Sequence, residues 1–209
     1  MLAPAAPRAR RAGGWDPANA GEEMDHLVRF LFEVGHLKQV VRSGWWMAGV
    51  RDPESVAEHS FRCAWIGWLL AQQAGADPGR VTLMCLLNDL HEARIGDAHK
   101  IAQTYLDYGQ AETRALHDQV RPLPQGKELA ALHDEFQAGE TLEAQLARDA
   151  DRLECAFQAR EYMASGHGTC VDWLENTRRR LATEAGGALF RALAASDPHD
   201  WMRRLPRQE

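Results

Sequence analysis

The run Val81-Thr82-Leu83-Met84-Cys85-Leu86-Leu87-Asn88-Asp89-Leu90-His91-Glu92-Ala93-Arg94-Ile95-Gly96-Asp97 decides the fold class of this chain. Its opening is apolar, so a helix placed here is buried for most of its length. Asn88, Asp89 and Glu92 then arrive at i, i+1 and i+4, which puts Asn88 and Glu92 on one face with Asp89 beside it. Asp97 follows Gly96 just past the helix end. Acids near a helix C-terminus oppose the macrodipole. Three of them near one buried terminus repel one another unless a cation neutralises them.

The helical pattern extends in both directions. Residues 22–41 carry Leu27, Phe30, Leu31, Val34, Leu37 and Val41 at three- and four-residue spacings, one amphipathic face. Gly44, Gly49 and Pro53 predict a loop over 42–53. Ser55 and Glu58 have the spacing of a capping box for a helix over 55–74, which Gly75 and Pro78 close. Further helices are predicted over 78–93, 101–120, 127–136, 141–163, 171–183 and 188–195, with Gly186 and Gly187 separating the last two. No stretch alternates apolar and polar residues between regular turns, so no sheet is predicted. The expected architecture is all-α, a compact orthogonal bundle of six or more helices.

Composition narrows the classes of function. The 209 residues carry 24 Lys+Arg against 30 Asp+Glu, a net charge of −6, with 45% hydrophobic residues. These values suit one soluble domain and argue against a disordered chain, a fibre or a disulfide scaffold. No apolar run is long enough to cross a bilayer, so no membrane partner is expected. The acidic balance argues against a grip on long nucleic acid. Cys63, Cys85, Cys155 and Cys170 form no CxxC or CxxH pair and read as small buried hydrophobes in a reducing, cytoplasmic setting. Residues 1–20, rich in Ala, Pro, Arg and Gly, are expected to be a disordered tail ahead of a single domain over 21–209. Trp46, Trp65 and Trp68 are expected to be packing residues.

Two more polar positions fall on faces that should be buried. His59 lines up with Cys63, Ile66 and Leu70 at i+4, i+7 and i+11. Asp151 sits among Ala147, Ala150 and Cys155, with Asp149 and Glu154 close by. Each has a plain reading: a core histidine with one hydrogen bond, and a surface pair of Arg148 with Asp151. Together with Asn88 and Asp89 they supply one imidazole, one amide and carboxylates from separate helices. That is the inventory of a mixed nitrogen and oxygen site for a divalent metal, which helical bundles build from facing side chains.

Four blocks in order carry a resemblance: Arg42-Ser43-Gly44-Trp45, Pro53-Glu54-Ser55-Val56-Ala57-Glu58-His59-Ser60, Asn88 to Asp97, and Asp149-Ala150-Asp151-Arg152-Leu153-Glu154. The chain resembles the HD-domain phosphohydrolases, in particular the branch that hydrolyses 5′-deoxynucleotides, from about residue 22 to at least residue 162. The resemblance implies an HD-type helical domain and a metal-dependent release of phosphate from deoxynucleoside 5′-monophosphates. It implies one divalent metal ion, Mn²⁺, Co²⁺ or Mg²⁺, held by His59, Asn88, Asp89 and Asp151, with Asp149 as rival for the last position. It matches Glu92 and Asp97 to catalytic acids, Arg42 to a phosphate clamp and Trp45 to a residue that packs on the sugar. Lys100, just after Asp97, is a candidate second phosphate contact, with a solvated lysine as the favoured plain reading, and His91 should point elsewhere. A homodimer is expected, with Phe190 and Trp201 as aromatic candidates either for the interface or for closing the core. The departure is Asn88, which stands where the family doublet has His. An amide oxygen is a harder and weaker ligand, so looser metal binding is expected. The alternatives are hydrolysis of another small phosphoester, or an inactive fold that binds nucleotide.

Overall fold

In the computed structural model, which describes residues 20–206, the chain forms α1 (Ala20–His36), α2 (Gly44–Met47), α3 (Val56–Ala74), α4 (Pro78–Asn88), α5 (Glu92–Ile95), α6 (Lys100–Gln103), α7 (Tyr108–Val120), α8 (Gly126–Ala138), α9 (Leu142–Ala164), α10 (Val171–Arg180), α11 (Glu184–Ala194) and α12 (Asp200–Arg203). Among the described residues there is no strand, only an isolated antiparallel bridge between Val41 and Ser55. The all-α reading therefore holds. The expected tail lies outside the described residues, except for Ala20, where α1 begins.

Local chemistry sets the helix ends. Ser55 Oγ accepts the Glu58 N–H at 3.3 Å while the Glu58 carboxylate accepts the Ser55 N–H at 2.6 Å, so the capping box forms and starts α3. Gly75, at φ 72°, closes α3 in the left-handed conformation that glycine adopts without strain. Asp77 caps α4, with Pro78 in its first turn.

Helices α3, α4 and α9 meet at the centre. Gly67 permits their close approach: a Cβ there would lie 2.6 Å from Cys85 Sγ and 3.1 Å from Val81 Cγ1. Leu70, Val81, Met84, Leu146 and Leu153 fill the space around it and are buried. Each such side chain contributes about 1.5–3 kcal/mol on burial. Helices α7 and α8 pair with each other, and α8 packs on α4 and α9, while α10 and α11 pack on the rest of α9.

Several expectations change. The helix predicted over 101–120 is two helices, because Asp107 accepts the Gln110 N–H and starts α7 afresh. The helix predicted over 78–93 ends at Asn88, and Glu92 begins a separate turn. Gly186 and Gly187 lie inside α11 rather than before it; a Cβ at Gly186 would fall 2.6 Å from Asp149 Oδ2, so glycine makes room for that carboxylate. Trp46, Trp65 and Trp68 are 53%, 56% and 39% exposed, so they do not pack the core. Of the two alternatives for the C-terminal aromatics, Phe190 takes the core, where it is buried, whereas Trp201 is exposed.

Candidate metal centre

The capping box holds His59 in the first turn of α3, pointing inward, 1% exposed. Its Nε2 lies 3.1 Å from Asp151 Oδ1 on α9 and 3.3 Å from Asp89 Oδ2 at the end of α4. Its Nδ1 is hydrogen bonded to the buried Glu154 Oε2, one turn along α9 from Asp151. Arg62 Nε and Nη2 donate to the other Glu154 oxygen at 2.9 and 2.8 Å, which fixes that carboxylate in place.

The loop before α3 enters the same site. Val56 N–H donates to Val40 at 2.8 Å and Arg42 N–H to Glu54 at 2.9 Å, a short pairing that sets where Arg42 points. Arg42 Nη1 then lies 3.2 Å from Asp89 Oδ2 and 3.4 Å from Asp97 Oδ2. Ser43 Oγ donates to Asp97 Oδ1 at 3.0 Å. Gly96, at φ 74°, turns the chain so that Asp97 reaches back, and the Tyr108 hydroxyl holds the Gly96 carbonyl at 2.6 Å. Asn88 is buried, and its Nδ2 donates to Asp89 Oδ1 at 2.9 Å.

Charge follows from this packing. Burial works against a cationic His59, as does Arg42, but the carboxylates of Glu154, Asp151 and Asp89 prevail and hold its pKa well above the ordinary value. Burial also works against the charged form of Asp89, yet the hydrogen bond to His59 and the charge of Arg42 keep its carboxyl below the usual range. At Glu92 the charges of Arg42 and His59 are outweighed. Burial, then Asp89 and Asp97, push it well above the carboxylate range, and its Oε2 makes no hydrogen bond.

These residues fit a divalent cation. Ligand atoms of His59, Asp89 and Asp151 all lie within 4.8 Å of one another. Turning Nδ1–H toward Glu154 leaves the Nε2 lone pair for a metal, the arrangement in which a carboxylate orients a ligand histidine. Residues 34–186 match the model of a family described as HD domain. The chain belongs to the HD-domain family. It is similar to the 5′-deoxynucleotidase HDDC2 of Homo sapiens, 29% identical over 195 residues that cover 86% of this chain and 95% of that one. The HDDC2 of Danio rerio is 31% identical over 147 residues, covering 66% and 70%. Among solved structures, a conserved hypothetical protein from Pyrococcus furiosus superposes with a TM-score of 0.71 at 31% identity, covering 81% of this chain and 99% of that one. A protein from Magnetospirillum magnetotacticum, described as a predicted metal-dependent phosphohydrolase, superposes with a TM-score of 0.63 at 27% identity, covering 88% and 97%.

The HD pattern places most of the site residues together: Arg42, His59, Asn88, Asp89, Asp97 and Asp151 are joined by the contacts above, and Glu92 stands beside them. Two readings are corrected. Asp149 is not a rival ligand, because its carboxylate accepts the N–H groups of Ala182 and Thr183 at 2.9 and 2.8 Å and ties α9 to the start of α11. Trp45 presents no face to a sugar. It is 2% exposed, stacks on Trp173 at 4.7 Å between ring centroids, and donates Nε1–H to Glu54 at 2.8 Å. Lys100 pairs with Gln103 at 2.8 Å, yet both line a cavity of about 450 Å³ with Asn88, Asp151, Arg148 and Arg152. His91 is buried away from the centre, beside Tyr108 and His133. Roles for Glu154, Ser43 and Glu54 were missed. The i+3 spacing of Glu154 from Asp151 was a usable signal, whereas nothing local marks Ser43 or Glu54.

Proposed function

We propose that this chain is a metal-dependent phosphohydrolase that releases phosphate from deoxynucleoside 5′-monophosphates. One observation carries the reading: His59 Nε2 lies between two carboxylates from different helices, while a buried third carboxylate, Glu154, holds its Nδ1. The names of the HDDC2 relatives support the substrate class.

His59, Asp89 and Asp151 would hold the ion, with Asn88 beside them as the weaker fourth ligand. A divalent cation there would supply charge neutralisation and Lewis acidity toward a phosphoryl oxygen. The chain's own residues supply the rest. Arg42 presents a guanidinium, the group suited to clamping phosphate oxygens. Glu92, whose carboxyl burial shifts toward the protonated form and whose Oε2 makes no hydrogen bond, is the group placed to give a proton to the leaving 5′-oxygen. Asp97, which accepts from Ser43 and lies against Arg42, is the group able to orient and deprotonate water. Trp45 acts at a distance: through Glu54 it braces the loop that carries Arg42.

The same reading places the enzyme in the cytoplasm as a homodimer. It is supported by four cysteines outside any disulfide and by exposed Phe61, Trp65 and Trp68 along α3. No described helix is long and apolar enough to cross a membrane.

The test is phosphate release from deoxynucleoside 5′-monophosphates with added Mn²⁺ or Co²⁺, against ribonucleotides and other small phosphoesters. Release confined to the deoxy series is expected. No release, with no metal in elemental analysis, sinks the reading.

A further inference from the structure

A second group of metal-ligand side chains lies between α7 and α8. His117 Nε2, on α7, is 2.8 Å from Asp134 Oδ1, on α8. His133 precedes Asp134, and its Nδ1 lies 3.8 Å from the same oxygen. Ligand atoms of all three residues fall within 4.8 Å of one another.

His133 is the informative member. It is fully buried, and its Nδ1 makes no hydrogen bond. The other ring nitrogen, Nε2, meets only the amide of Gln137, at 3.3 Å. Either tautomer leaves something unmatched. With Nδ1 protonated, a buried donor points at a carboxylate too distant to accept it. With Nε2 protonated and the Gln137 oxygen turned to accept it, Nδ1 is a buried lone pair facing a carboxylate. A lone pair and an anion side by side repel, and a cation between them removes the conflict.

We propose that His117, His133 and Asp134 form a second divalent-metal site, of the Zn²⁺ class, that clamps α7 to α8. Two imidazoles and one carboxylate are a ligand set that zinc takes, at separations these side chains reach. Gln137 orients His133 from behind, as outer partners of metal-bound histidines do. The His117 and Asp134 side chains are 41% and 53% exposed, so an ion has an entry path and water completes its shell. The clamp bears on the other centre through the backbone. Tyr108 and Glu112 of α7, with Phe136 and Gln137 of α8, form one side of the cavity that Asn88 and Asp151 also line. Holding the two helices together holds that wall.

Equilibrium dialysis of the chelator-stripped full chain against Zn²⁺, followed by elemental analysis, tests this. His117→Ala and Asp134→Asn change exposed positions, so folding should survive. Each is expected to hold one equivalent of zinc fewer than the unaltered chain, or to bind that equivalent at least about tenfold more weakly. Asp151→Asn, at the other centre, is expected to leave it in place. Zinc should raise the thermal midpoint of Asp151→Asn and fail to raise that of Asp151→Asn/His117→Ala by the same amount. Unchanged zinc content in both His117→Ala and Asp134→Asn overturns the proposal, and so does an Asp151→Asn chain that holds no zinc. Neither result touches phosphate release, which is read separately.

Discussion

Glu154 and His59 are joined by a hydrogen bond at the floor of the candidate metal centre, 95 residues apart in sequence and both out of contact with solvent. Burial works against a charged Glu154, but His59 and Arg62 outweigh it and hold its pKa below the usual value. An ionised Glu154 keeps one proton of His59 on Nδ1, so a metal ion would take the place of the other proton, on Nε2. Glu154→Gln keeps the shape and removes the charge. Metal affinity should fall about 10–100-fold, the range for outer partners of ligand histidines. Titration with Mn²⁺ or Co²⁺ measures it, and unchanged affinity would show that Glu154 does not orient the ring.

Asn88 contacts Asp89 through its amide nitrogen, not as a committed ligand. Asn88→His adds an imidazole at the position of the family doublet. Divalent metal should bind at least about tenfold more tightly, with a shift in preference from Mn²⁺ toward Co²⁺ or Zn²⁺. Competition between the metals reads out both effects.

Arg42 separates Asp89 from Asp97 by lying against both. Lysine carries the same charge without the planar fork. Arg42→Lys is expected to lower kcat/KM for a deoxynucleoside monophosphate by about a hundredfold, or about 2.7 kcal/mol. Arg42→Ala leaves buried carboxylates uncompensated and should also destabilise the fold by about 3–5 kcal/mol in urea melts.

Gly67 sits where α3 meets α4, with Cys85 Sγ and Val81 Cγ1 in the space a Cβ would take. Gly67→Ala should overpack that contact at a cost of about 1–3 kcal/mol, measured by equilibrium unfolding. Stability at or above that of the parent chain would show that the helices separate freely.

Glu54 is pushed from 4.5 up to about 7, first by burial and then by Glu154. Between those two values the folded chain keeps a proton that the unfolded chain has released. Stability from this group is therefore full below the unfolded value and is lost as pH rises to about 7. Glu54→Gln keeps an acceptor for Trp45 and removes the titration. Its unfolding free energy should lack this decline, leaving it more stable than the parent above neutral pH by on the order of 1–2 kcal/mol. Parallel pH profiles for the two chains would refute the assignment.

Helix type was legible wherever periodicity was strong, as in α3, α4 and α9. Boundaries failed where a single side chain restarted a helix, as Asp107 does, or where a distant group required a glycine, as Asp149 does of Gly186. Trp45 was misread because a tryptophan in a glycine-containing loop carries no local mark of whether it faces solvent or the ring of Trp173.

By itself, the order of residues determined the all-helical class and marked His59, Asp89, Glu92 and Asp151 as polar positions on faces that should be buried, because helical period and the rarity of buried acids are local properties. The four blocks that resemble the HD-domain phosphohydrolases joined them with Asp97 into one candidate site. Tertiary structure alone decided that Glu154 faces His59, that Arg42 parts two carboxylates, that Asp149 serves a helix start and that three side chains of α7 and α8 converge. Those contacts join positions far apart in the chain, and whether they meet depends on how helices cross and loops turn, which no short stretch of sequence encodes.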